Sequence, residues 1–188
     1  SIALTRGYDG SRQVYRSSTL VGGSYLTRFA VDDGNALTFI ISKDEVIFNA
    51  RFDFDTDGNL EGWGGNNVDS LAASAGSLSG IANSSDPQIT RTGLALNGSA
   101  HDQVEIRMRS SVNGSVQLFW WREGASGFAP ARLLSTNYTG NGSYQTLTFD
   151  MSAVSEWAGE TITSLRIDPV NGASANGASF AVDSIEVS

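Results

Sequence analysis

The sequence predicts an all-β chain, and an antiparallel β-sandwich is the architecture that its pattern favours. Short segments in which apolar and polar residues alternate recur from end to end, and clusters of Gly, Asn, Asp and Ser separate them. No amphipathic helix of useful length is readable, and no fixed repeat period points to a solenoid. Since alternation with period two is typical of half-buried strands, many short strands with regular turns indicate a β-sandwich or a barrel.

The clearest strand patterns are spread over most of the chain, and turn signals separate them. The predicted strands cover residues 37–41, 46–54, 104–108, 116–121, 146–149, 165–167 and 180–187. Asn113-Gly114 is the strongest signal for a two-residue hairpin, and it predicts that residues 104–108 pair with residues 116–121. Only residues 155–159 indicate a short helical turn.

The last predicted strand breaks its alternation once. Phe180 and Val182 share one face, whereas Ile185 and Val187 share a face one residue out of phase. A strand with period two does not shift in this way unless an extra residue is inserted. We therefore predict a β-bulge at residues 183–184, which turns the Asp183 carboxylate out of the regular pleat.

Residues 51–188 read as one continuous module, and residues 1–50 read as an N-terminal β extension. No Pro-rich or Ser-rich linker separates the two parts. The extension is expected either to add strands to the same sandwich or to be the tail of a preceding domain.

The charge and the composition exclude several classes of function. With a formal net charge of −8, the chain lacks the Lys and Arg excess on which general nucleic-acid binding depends. It has no apolar run of the roughly 18 residues that a membrane helix requires, so we expect no membrane partner. The absence of cysteine excludes disulfides, thiolate metal sites and thiol nucleophiles. The single lysine and the acidic, Gly-rich and Ser-rich composition favour a secreted or extracellular bacterial protein.

The two ends of the module resemble those of a known family. Residues 54–63 read Phe-Asp-Thr-Asp-Gly-Asn-Leu-Glu-Gly-Trp, and residues 180–187 read Phe-Ala-Val-Asp-Ser-Ile-Glu-Val. Both are similar to the opening and closing segments of jelly-roll carbohydrate-binding modules of the galactose-binding-like type, which are appended to polysaccharide-degrading enzymes. The resemblance covers residues 52–188. It implies a jelly roll that is covalently linked to other domains and attaches an enzyme to its polymeric glycan.

The resemblance also implies a structural calcium ion between the first and last strands of the module. Its implied ligands are Asp53 or Asp55, together with Asp183 and backbone carbonyl groups. Calcium takes about six to eight hard oxygen ligands and tolerates irregular loop geometry, which agrees with such a set. An EF-hand is rejected because Gly64 stands at the loop position where a bidentate Glu is required. A solvated acidic turn without a metal is the alternative.

Adjacent residues of a strand point to opposite faces, which assigns the neighbouring Trp120 and Trp121 to different surfaces. Trp120 continues the apolar stripe of Val116 and Leu118, so we expect Phe119 and Trp121 to face outward. An exposed aromatic ring can stack on the apolar side of a sugar ring. The alternative is that both tryptophans are buried because both faces of the sheet are covered. Two further tryptophans, at positions 63 and 157, are expected to pack in the core.

Charged residues on the neighbouring predicted strands complete the expected binding site. The additional expected ligand contacts are Arg107, Arg109, Arg166, Asp168 and, in a loop at the rim, Tyr144. If these strands are neighbours, the residues form one surface with the outward aromatics. Such a surface favours an anionic polysaccharide, because guanidinium groups pair with carboxylate or sulfate. Internal pairing of the arginines with Glu105 and Asp168 is the alternative.

The expected function is therefore that of a polysaccharide-binding module that is not an enzyme. His101 is the only histidine, we expect it to be solvated, and no pair of carboxylates lies in a readable glycosidase motif. A structural or adhesion β-sandwich that binds no sugar is the alternative function, and a polysaccharide-active enzyme is the third.

Overall fold

The computed structural model describes residues 50–172 and 174–188 and, before them, the backbone of residues 4–9, 12–17, 27–31 and 37–41. The chain divides into two compact units, Ser1–Phe48 and Asn49–Ser188, and each is described by itself. In the described part, no helix has the length and apolar character that crossing a membrane would require.

In the described part of the first unit, four antiparallel strands pair in chain order. They are β1 (Leu4–Asp9), β2 (Arg12–Ser17), β3 (Thr27–Val31) and β4 (Leu37–Ile41). Strand β4 has the bounds predicted from the sequence. The start of the predicted strand 46–54 lies outside the described residues. The assignment of residues 1–50 as an extension stays a prediction.

The second unit is a sandwich of two antiparallel sheets, which confirms the predicted fold class. Its strands are β5 (Ala50–Phe52), β6 (Trp63–Asn66), β7 (Val68–Ser74), β8 (Ser77–Ala82), β9 (Gln88–Asn97), β10 (Gln103–Ser110), β11 (Gly114–Arg122), β12 (Leu133–Tyr138), β13 (Gln145–Asp150), β14 (Thr161–Asp168) and β15 (Ser179–Val187). The five-stranded sheet has the order β12-β11-β14-β9-β6. The six-stranded sheet has the order β13-β10-β15-β8-β7, and β5 also pairs with β15.

The inward residues of both sheets form one apolar core. Within this core the rings of Trp120 and Trp157, both fully buried, meet edge to face with centroids 5.7 Å apart. Each indole N–H donates to a backbone carbonyl, that of Glu156 at 2.8 Å and that of His101 at 2.6 Å. Both large rings are therefore buried without an unsatisfied donor. Trp63 is also buried, so the packing role expected for positions 63 and 157 is confirmed.

The expectation that His101 is solvated is wrong. Only 5% of the residue is exposed, and its Nδ1 lies 2.9 Å from the carbonyl oxygen of Asn97. The turn that carries Trp157 packs against this segment, since the Trp157 indole binds the His101 carbonyl. The burial thus comes from a tertiary contact that the local sequence does not encode.

The hairpin predicted at Asn113-Gly114 is also wrong. Strands β10 and β11 belong to different sheets, and residues 111–113 carry the chain from one sheet to the other. A two-residue hairpin turn of the Asn-Gly type requires a positive φ at both positions, and neither Asn113 nor Gly114 has one. The Asn113 side chain instead accepts the N–H of Gly140 at 2.8 Å, which ties the crossing segment to a neighbouring loop.

The β-bulge predicted in the last strand is confirmed. In the pairing of β15 with β10, Arg107 lies opposite Ser184 and Met108 lies opposite Val182, so Asp183 is the inserted residue. The apolar residues on both sides of the shift are buried. The bulge therefore keeps both halves of the strand packed on the same core.

A substitution at Gly140 tests the crossing segment. A Cβ at this position would lie 1.8 Å from the carbonyl carbon of Val112, so Gly140→Ala should destabilise the fold by about 1–3 kcal/mol through forced backbone movement. Gly64→Ala is the matched control, because a Cβ there meets nothing within 4 Å. Urea denaturation measures both free energies of unfolding. Equal stability of Gly140→Ala and the unsubstituted protein would show that the crossing segment is misplaced.

Candidate functional site

The alternation predicted for β11 is confirmed. Val116, Leu118 and Trp120 are fully buried, whereas Phe119 and Trp121 are partly exposed. These two aromatics therefore lie on the outer face of the five-stranded sheet, two residues apart on one of its strands. Because strand residues rise about 3.3 Å each, the two rings are attached roughly 7 Å apart along the strand.

Phe119 lies directly opposite Arg166 of β14, and the guanidinium carbon is 4.6 Å from the ring centroid. The same guanidinium donates to both carboxylate oxygens of Asp168, at 2.7 and 2.6 Å, and to Asp86 at 2.9 Å. The internal pairing considered for Arg166 is thus present. Two carboxylates offset its charge, and their contacts hold the guanidinium in place against Phe119.

Trp121 is held in place by the loop at residues 123–129. Its indole N–H donates to the carbonyl oxygen of Ala125, and its ring meets that of Phe128 edge to face with centroids 6.1 Å apart. A side chain fixed in this way loses little conformational entropy when a ligand stacks on it. Trp121 therefore has the properties of a preformed aromatic platform.

Arg107, Arg109 and Tyr144 lie on the outer face of the other, six-stranded sheet. The guanidinium carbons of the two arginines are 4.8 and 4.9 Å from the centroid of the Tyr144 ring. Arg107 forms an ion pair with Asp183 at 2.9 Å, and not with Glu105. Its partner comes from the bulge, which places Asp183 and Ser184 together opposite Arg107.

The expected contact residues therefore form two groups on opposite outer faces, not one surface. The single surface depended on β10 and β11 being neighbours, and the crossing at residues 111–113 separates them. The first group comprises Phe119, Trp121, Arg166 and Asp168, and the second comprises Arg107, Arg109 and Tyr144. Asp86 was missed by the sequence reasoning, although it stands in a Ser-Asp-Pro turn that indicates a fixed loop. The role of each residue in ligand binding stays a prediction.

The residues implied for calcium fit such a site only in part. The Asp183 carboxylate already forms an ion pair with Arg107. Within the described residues, no group of three or more His, Asp or Glu side chains is arranged to hold a metal ion. Glu61, which was not among the predicted ligands, accepts the N–H of Phe54 at 3.0 Å. Burial, and then the nearby charge of Asp53, raise the pKa of Glu61. A bound cation would offset the repulsion between the carboxylates of Asp53 and Glu61. The calcium ion itself stays a prediction.

Burial gives Asp168 an unusual titration. Only 1% of the residue is exposed, and loss of solvation raises its pKa to about 6, although the hydrogen bonds and charge of Arg166 act in the opposite direction. At neutral pH the carboxylate is ionised and binds Arg166. As the pH falls through about 6, Asp168 takes up a proton and its ionic hold on Arg166 weakens.

This titration predicts a pH-dependent contribution to stability. Between about pH 4 and pH 6 the folded protein retains the Asp168 proton while the unfolded chain has lost it, so stability falls as the pH rises through this window. Asp168→Asn removes the titration. The difference in free energy of unfolding between the unsubstituted protein and Asp168→Asn should therefore decrease from pH 4 to pH 6, as measured by urea denaturation. A difference that is constant or rises would show that Asp168 has an ordinary or a lowered pKa.

Comparison with known proteins supports the fold. No protein-family model and no curated protein matches the sequence. Among solved structures, one variant of a family 29 carbohydrate-binding module is 12% identical, covers 75% of this chain and 91% of that chain, and has a TM-score of 0.53. A second variant from family 29 is 10% identical, with coverages of 74% and 92% and a TM-score of 0.52.

A third match is the N-terminal cellulose-binding domain of β-1,4-glucanase C from Cellulomonas fimi. It is 22% identical, covers 72% of this chain and 93% of that chain, and has a TM-score of 0.48. The likeness to the two family 29 modules, at 12% and 10% identity, establishes the fold alone. The resemblance to jelly-roll carbohydrate-binding modules that the sequence indicated is thus confirmed as a resemblance in fold.

Proposed function

We propose that residues 49–188 form a non-catalytic module that binds a polysaccharide on the outer face of the five-stranded sheet. The observation that carries the proposal is the outward pair Phe119 and Trp121, fixed on one strand by Arg166 and by the loop at residues 123–129. Aromatic rings stack on the C–H surface of sugar rings, and a fixed ring binds at a lower entropic cost. The two family 29 structures that share this fold are carbohydrate-binding modules, which agrees with this assignment.

The polar groups around the aromatics suit a sugar. In register across the sheet, Phe119 is followed by Arg166, then by Thr90 of β9 and Gly64 of β6. The side chains thus become smaller towards β6, and the space above Gly64 is open. On the same face, Gln117 lies opposite Asp168 and supplies an amide group. Hydroxyl and amide groups beside an aromatic ring are typical of sites that recognise sugar hydroxyls.

The charge of this face favours a neutral polysaccharide. Arg166 is shared between Asp168 and Asp86, so its positive charge is more than offset by its partners. An incoming carboxylate would have to compete with two carboxylates that are already in place. The anionic polysaccharide expected from the sequence depended on three arginines on one surface, and only Arg166 lies here.

A module of this kind acts by keeping an attached enzyme near its polymer, which raises the effective concentration of substrate. Covalent linkage to such an enzyme and a secreted or extracellular location belong to the proposal. A structural or adhesion sandwich and a polysaccharide-active enzyme are the competing functions, and the next experiment separates them.

Retention of the chain in native gels that contain a neutral polysaccharide tests the binding surface. With a panel of β-glucan, xylan, mannan and galactan, we expect retention by at least one polymer. Phe119→Ala and Trp121→Ala should each weaken that affinity about tenfold, because each removes a stacking surface. Tyr144→Ala, on the opposite sheet, is the matched aromatic control and should bind normally.

Retention by none of the polymers would leave the adhesion sandwich as the better account. Release of soluble products from any of them would favour the enzyme. Unchanged affinity in both Phe119→Ala and Trp121→Ala would mean that the proposed face is the wrong one.

The proposal also includes the structural calcium ion that the resemblance to carbohydrate-binding modules implies, and chelation tests it. If a calcium ion bound by Asp53 or Asp55 links the start of the module to Asp183 in the last strand, its removal breaks that link, so EDTA should lower the melting temperature and added calcium should restore it. Differential scanning calorimetry measures both. An identical melting temperature with and without EDTA would remove calcium from the account.

A further inference from the structure

The outer face of the six-stranded sheet carries an open groove of about 440 Å³. Its floor consists of small side chains, because Ala181 of β15 lies in register between Arg109 of β10 and Ser79 of β8. The next position of the floor is Ser179. The groove therefore exists because the outward residues at these positions are small, and larger side chains would fill it.

The two sides of the groove differ in chemistry. Arg109 stands on one side, supported by the ring of Tyr144 at 4.9 Å. Ile81 stands on the other side with 44% of its surface exposed. Ser79, Ser111 and Ser179 also line the groove. An apolar surface, several hydroxyl groups and one cation thus face the same space.

The positive charge of Arg109 is not offset by a nearby carboxylate of the described residues. Its neighbour Arg107 is paired with Asp183, whereas among the described residues Arg109 has no carboxylate within ion-pair distance. The described lining of the groove contains neither Asp nor Glu. On a chain with a net charge of −8, a groove with one exposed arginine and no acidic lining is a local exception. A guanidinium group presents a planar fork of donors that matches a carboxylate.

We propose that this groove is a second, independent binding site, which takes a hexuronate unit of an acidic polysaccharide. Arg109 binds the carboxylate, Ile81 contacts the C–H side of the sugar ring, and the serine hydroxyls bind the sugar hydroxyls. The site goes beyond the proposed neutral-glycan surface, since it lies on the opposite sheet and shares no residue with it. The protein would then contact neutral and acidic polysaccharides with different faces.

Titration of the whole 188-residue chain with trigalacturonate tests this site, with calorimetry in low salt as the measurement. We expect binding by the unsubstituted protein and at least about tenfold weaker binding by Arg109→Gln, which loses the charge-assisted contact. Arg51→Gln is the matched control, because it removes the same charge from an exposed arginine that pairs with Glu186 on this sheet, outside the groove. It should bind normally.

The ligand has its own control. Trigalacturonate in which every carboxyl is a methyl ester keeps the rings and loses the charge, and it should bind at least about tenfold more weakly. Absence of trigalacturonate binding, equal binding of the ester, or an unchanged affinity in Arg109→Gln would each overturn the proposal.

The outcome also separates this site from the neutral-glycan surface. Phe119→Ala should bind trigalacturonate normally, and loss of that binding would show that the acidic ligand uses the other face, which overturns the second site. Arg109-dependent binding of trigalacturonate by a chain that no neutral polymer retains would support the groove while contradicting the proposed neutral-glycan surface.

Discussion

Between Ser110 and Gly114 the chain leaves the six-stranded sheet and enters the five-stranded sheet. The apolar residues of β10 and β11 then face one core from opposite sides, so their outward residues must point away from each other. This crossing places Arg107 and Arg109 on one outer face and Phe119 and Trp121 on the other. Both candidate binding surfaces follow from it.

The two outer faces differ in charge because some of their arginines form ion pairs with nearby carboxylates and others do not. On the five-stranded sheet, Arg166 is held by Asp168 and Asp86, so the aromatic pair stands beside a compensated cation. On the six-stranded sheet, the bulge in β15 brings Asp183 to Arg107. Arg109, two residues further on, receives no such partner in the described structure. One inserted residue in the last strand therefore helps to decide which arginine is available for a ligand.

Local sequence patterns correctly predicted the structural features that depend on one strand alone. The alternation in β11 identified Trp120 as a core residue and Phe119 as an outward one, and the break near Asp183 identified the bulge. In the second unit, strands β6 to β9 and β12 were missed because they are rich in Gly, Ser, Thr and Asn and show little apolar alternation. The predicted strand 46–54 ends at Phe52, since Phe54 has a left-handed backbone with φ of 53° although it is fully buried.

The local sequence of a strand does not determine which sheet the strand joins. For this reason the contact residues that were expected on one surface lie on two. Asn113-Gly114 has the composition of a hairpin turn, but the same residues also suit a crossing segment, and only the shared core selects between them. The pairing of Asp86 with Arg166 joins residues 80 positions apart, which no local pattern anticipates. The groove beside Arg109 likewise requires three strands in register.

The central claim is that the Phe119 and Trp121 face binds a polysaccharide. The most direct measurement is an amide chemical-shift map of the chain titrated with a soluble oligosaccharide of a neutral polymer. The account predicts shifts concentrated in β11, β14 and β9 and at the Trp121 indole, with β8 and β15 unchanged. Shifts confined to the six-stranded sheet, or none with any neutral oligosaccharide, would contradict it.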